Sequence, residues 1–173
     1  ISLFAEDIRE AFGLTHGTLG GLYTSATLAS AIVLLWLGKL TDRFDLSLTG
    51  ALSLVGLSSC AMLMAGANSI IVLVIALFGL RLFGQGLMSH IAITAMGRWF
   101  SAERGRALSL AALGFPVGEA LLPATAVFFL TLYTWHYGWL VASVSIVVVM
   151  LPAFIWCSHR LNIRCLERPC NRI

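Results

Sequence analysis

The sequence predicts an all-α fold, a polytopic bundle of membrane-spanning helices, and three observations predict it. Of 173 residues, 59% are hydrophobic and 11% are charged, with a mean hydropathy of +0.93, whereas a soluble domain carries about 25% charge. Too few polar side chains exist to cover a surface in water, so the solvent for most of the chain is lipid. The apolar residues also fall into five stretches, each close to the ~20 residues that a helix needs to cross a hydrocarbon layer of ~30 Å. Finally, these stretches lack in-and-out alternation and are too long for barrel strands, which leaves helices. A formal net charge of +3 is too small to indicate a nucleic-acid partner. Four cysteines, two of them in a short polar tail, give no disulfide framework.

In chain order, Ile1 to Phe4 read as the outer end of a preceding helix, and residues 5–17, with Glu6, Asp7, Arg9 and Glu10, as a charged segment outside the membrane. The spans follow at Leu19 to Leu37, Leu48 to Ala67, Ile70 to Met96, Ala107 to Leu132 and Gly138 to Cys157. Only Asn68 and Ser69 divide the second span from the third. Lys39, Arg43, Arg98, Arg104 and Arg106 lie at the first and third connections, and Arg160, Arg164, Arg168 and Arg172 follow the fifth span. The second and fourth connections carry no Lys or Arg, so the basic set is cytoplasmic by the positive-inside rule. Tyr133, Trp135, Tyr137 and Trp139 form an outer aromatic belt, while Trp99, Phe100 and Trp156 mark the inner interface. An odd number of spans, an outside start and Ile1 in first place predict that an upstream helix is missing and that the chain is a fragment. Residues 158–173 are predicted as an irregular cytoplasmic tail, and no targeting or lipidation motif is visible.

Three stretches carry motifs. The first connection reads Gly38-Lys39-Leu40-Thr41-Asp42-Arg43-Phe44-Asp45, the third span contains Arg81-Leu82-Phe83-Gly84-Gln85-Gly86, and the third connection reads Trp99-Phe100-Ser101-Ala102-Glu103-Arg104-Gly105-Arg106-Ala107. The first resembles the G-x-L-x-D-R-x-G-R-R loop of the major facilitator superfamily, matching at Gly38, Leu40, Asp42 and Arg43. It departs from that loop at Asp45, Leu46 and Ser47, where Gly and basic residues are usual. The second resembles the family's helix-four motif in its R-x-x-G-Q-G version. The third resembles the W-F-x-x-x-R-G-x-A connection found notably in monocarboxylate-transporter-like and oxalate/formate-like branches. The resemblance spans residues 1–157 and implies the amino-terminal six-helix half of a secondary transporter, lacking most of its first helix. A carboxy-terminal six-helix half would complete it around a central site.

The resemblance implies that Gly38, Asp42 and Arg43 form a cytoplasmic gating loop. Arg81 is expected to attract an anionic substrate or to balance Glu119, the only acidic residue inside a span, because ionisable groups within a membrane face a cavity or a partner. Glu119 is expected to couple a proton, and Gln85 and Ser89 to hydrogen-bond the substrate. At 100° per residue both lie within about 80° of Arg81, with His90 on the opposite side. Gly84, Gly86, Gly114 and Gly118 are expected to let helices approach closely, and Pro116 and Pro123 to bend the fourth span.

Two other chemistries fit poorly. Ser58 or Ser59 with His90 would make a rhomboid-like protease, yet the G-x-S-G pattern is not reproduced, and His159, Cys165 and Cys170 fit no metal-ligand spacing. The expectation is therefore a non-enzymatic carrier of a small solute, an organic anion with or without H+, in the plasma or bacterial inner membrane, with no cofactor. The rival is an integral membrane protein that does not transport, such as an interaction protein or a degenerate half-transporter.

Overall fold

In the computed structural model, residues 5–41, 45–99, 105–106, 108–114, 116–118, 120–121 and 135–167 are described, and their regular elements are all helical. They are α1 (Ala5–Phe12), α2 (His16–Thr41), α3 (Leu46–Ala65), α4 (Ile70–Gly79), α5 (Met88–Trp99), α6 (Leu108–Gly118), α7 (Trp135–Ser145) and α8 (Leu151–Glu167). A π-helical segment, Leu80–Leu87, joins α4 to α5 in one rod, and a second, Ile146–Met150, joins α7 to α8. Among the described residues, four helical stretches are long and apolar enough to cross a membrane: His16–Lys39, Leu46–Ala65, Ile70–Gly97 and Trp135–Arg160. They coincide with the first, second, third and fifth predicted spans.

Local chemistry sets the boundaries. Gly13 has φ of +60°, a conformation that costs a residue with a Cβ, and the Leu14 N–H returns to the Arg9 carbonyl at 2.9 Å, ending α1. Thr15 then caps α2, its hydroxyl accepting from the Thr18 N–H at 3.2 Å. The Asn68-Ser69 break is likewise a cap: α3 ends at Gly66, whose N–H donates to the Met62 carbonyl, and the Ser69 hydroxyl accepts from the Ile71 N–H. Within α2, the hydroxyls of Thr24, Ser25, Thr27 and Ser30 donate to carbonyls three or four residues earlier, so the helix enters lipid with those donors satisfied.

Two apolar clusters hold the rods together. One joins Ile8 of α1 to Leu19, Met64, Leu73, Leu77 and Trp135, and the other gathers Leu46, Leu82, Leu87, Ile91 and Ala95. Side chains such as Leu35, Trp36, Ile71 and Val148 remain largely exposed, which suits a surface solvated by lipid. Helix α3 sits against α7 and α8: Ser58 and Ser143 share a hydroxyl–hydroxyl bond of 2.9 Å, and each hydroxyl also reaches the other residue's carbonyl, at 3.1 and 3.0 Å. Close approach depends on glycines that sequence reasoning did not single out. A Cβ on Gly50 would strike Phe154, on Gly56 it would strike Phe83, and on Gly79 it would strike Cys60. Helix α8 runs to Glu167, so residues 158–167, expected as irregular tail, continue the last rod as helix. Backbone hydrogen bonding propagates from a nucleated helix into a sequence whose side chains show no apolar period.

Candidate functional site

The first π segment decides what the third span presents to its neighbours. Its winding advances less per residue than the 100° of an α-helix, so the side chains beyond it fall back in phase. Arg81 lies with its guanidinium carbon 4.4 Å from the centre of the Tyr23 ring of α2. His90, expected on the opposite side of the rod, also faces α2: its Nε2 is buried, 3.8 Å from where a Cβ on Gly38 would lie. The difference follows from helix type, since a uniform α-helical projection across residues 81–90 overlooks the wider coil of residues 81–87.

Arg81 and Gln85 border one cavity of about 660 Å³, within the range of small-molecule sites. Helix α2 supplies His16, Leu19, Gly20 and Tyr23, and α4 supplies Leu73 and Leu77. Ala5, Ile8 and Arg9 of α1 line the cavity as well, at the end assigned to the outside by the charge distribution. The wall is therefore leucine-rich with a few polar groups, two of them guanidinium ions. Arg81 has its Nε buried with no hydrogen-bond partner among the described residues. The Tyr23 ring offers the cation a π-face, worth about 0.5–2 kcal/mol, but no acceptor for its N–H donors. Chemically, such a pocket offers an N–H donor on a cation, from which a bound acceptor could take a hydrogen bond.

The other expected residues are distributed as follows. Ser89 is exposed and does not line this cavity. Glu119, Asp42, Arg43 and Pro123 lie outside the described residues. A Cβ on Gly84 would come within 3.2 Å of Leu57, and one on Gly86 within 3.1 Å of Leu34, so both lie at helix contacts. Gly114 and Gly118 have no described neighbour within 4 Å of a built Cβ, and Pro116 is exposed. The serine pair weighed as a protease nucleophile is structural in its bonding, because Ser58 is occupied by Ser143 and the Ser59 hydroxyl donates to the Val55 carbonyl at 2.9 Å.

Sequence reasoning missed Tyr23, Arg9 and the helical state of α1. The signals were present in Gly13 and Thr15, a stop followed by a cap, and in the spacing of Ile8 and Phe12 on one side of a charged octapeptide.

A family model described as the Major Facilitator Superfamily matches residues 1–167. No curated protein and no solved structure gives a significant match.

Proposed function

From the premise that the chain belongs to the Major Facilitator Superfamily and is an integral membrane protein of a transporter family, we propose that it binds a small organic anion in the Arg81 cavity. That anion moves by alternating access, as part of the amino-terminal half of a carrier in the plasma membrane. The observation that supports this reading most strongly is Arg81 itself, a guanidinium in the middle of a span, on a cavity wall, with a buried Nε that has no partner among the described residues. On insertion scales an arginine at such depth costs about 2.5–3.5 kcal/mol, an expense that an anion-binding role explains.

In this mechanism Gln85 hydrogen-bonds the anion beside Arg81, with Ser89 entering when the rod rotates. Glu119 couples a proton to the engagement of the guanidinium by the anion, the role expected of an ionisable group within a span. Gly38, Asp42 and Arg43 close the cytoplasmic side, and a second six-helix half completes the pathway, since alternating access rocks two halves about a shared site. The coupling of Arg81 to Glu119 is tested by a thermal-stability double-mutant cycle. Glu119→Gln and Arg81→Leu should each destabilise, and the double variant should recover part of the loss. Simple additivity would remove Glu119 from the mechanism.

Anion binding is measured by calorimetry of the chain in lipid nanodiscs with butyrate as probe. Arg81→Gln should weaken binding by about 10- to 100-fold, the equivalent of one lost charge-assisted hydrogen-bonding group, while Arg81→Lys keeps part of it. Equal affinity in wild type and Arg81→Gln would overturn the reading.

A further inference from the structure

The Arg81 cavity holds a second guanidinium. Arg9 of α1 lines the same space, its side chain is only 22% exposed, and its Nε is also buried without a hydrogen-bond partner among the described residues. The described carboxylate beside it is a poor counter-ion: Glu6 is 84% exposed and its oxygen lies 3.8 Å from Arg9 Nη1, a contact that water and salt largely screen. Nor does that pair hold Arg9 in place. Ile8, 1% exposed, anchors α1 in the apolar cluster with Leu19, Leu73 and Leu77, and the Gly13 turn and Thr15 cap fix the entry into α2. Packing therefore carries Arg9 to the cavity with its Nε–H donor unused among the described residues.

We propose that Arg9 is a second anion-binding residue of this cavity, and that the substrate is a small organic dianion with one anionic head on each guanidinium. The inference rests on the assignment of Arg81 as an anion anchor. Two cations in one cavity repel each other, and no described residue lining it is acidic. A single negative charge relieves only part of that repulsion, whereas a dianion neutralises both. Leu19, Leu73, Leu77 and Leu80 line the same cavity and suit a short carbon chain, so the proposed occupant is apolar in the middle and charged at both ends. The substrate's second head displaces the loosely held Glu6.

The test compares succinate with butyrate, equal in carbon number and different by one carboxylate, by calorimetry of the full chain in nanodiscs at neutral pH. Wild type should bind succinate at least about tenfold more tightly. Arg9→Gln should bring succinate down to the affinity of butyrate while leaving butyrate within about twofold, and Arg9→Lys should keep part of the preference. Arg81→Gln should weaken both. An unchanged succinate preference in Arg9→Gln would refute the inference, and so would an equal loss of both anions, which would make Arg9 a prop of α1. If wild type binds butyrate through Arg81 without favouring succinate, the dianion assignment fails and the Arg81 anchor stands. Binding of neither anion would end both.

Discussion

At the scale of single residues, the cation over the Tyr23 ring governs the site. Arg81 was legible in the sequence because an isolated charge in an apolar span is conspicuous, and Gln85 because it follows one turn later. Tyr23 was not, since an aromatic residue in a span reads as lipid-facing until its neighbour is known. Ring and hydroxyl have separable roles. Tyr23→Phe retains the π-face, and its stability should stay within about 0.5 kcal/mol of wild type. Tyr23→Leu removes it and should destabilise by about 1–2 kcal/mol, read as a lower midpoint in thermal denaturation in detergent. Equal behaviour of the two variants would show that the ring does not hold Arg81.

At the scale of elements, the helices could be read from apolar length and loop charge, but their contacts could not. Apolar periodicity reports a face only when the other face is polar, and here lipid makes every face apolar. Hence Gly50, Gly56 and Gly79, which meet large side chains of neighbouring rods, looked no different from Gly20 or Gly21. The π segments were equally hidden, because wide winding has no composition of its own; yet the first one brings His90 round to the α2 side of its rod. Gly79→Ala should destabilise by about 1–3 kcal/mol through overpacking, and Cys60→Gly in the same chain should restore part of the loss. Gly21→Ala, which opens onto free space, should be neutral or slightly stabilising. A neutral Gly79→Ala would show that α3 and α4 pack less closely than described.

At the scale of the whole molecule, the sequence carried the class and the positions of four spans, which follow from hydropathy, and it predicts an orientation that would put nine of the eleven basic residues on one side. The cavity emerged only in three dimensions, from α1, α2 and the π segment together. With the native cysteines replaced, single cysteines at positions 45 and 103 should resist an impermeant thiol reagent added to intact cells and react once the membrane is opened. Labelling from outside would invert the topology. The central proposal, an anion cavity around Arg81 reached from the outside, is tested most directly at Gln85, an exposed side chain on its wall. In the same background, Gln85→Cys should react with a small cationic thiol reagent added outside, and succinate should slow that reaction in a saturable way that Arg81→Gln abolishes. Labelling that proceeds at one rate with or without succinate, or no labelling from outside, would contradict the account.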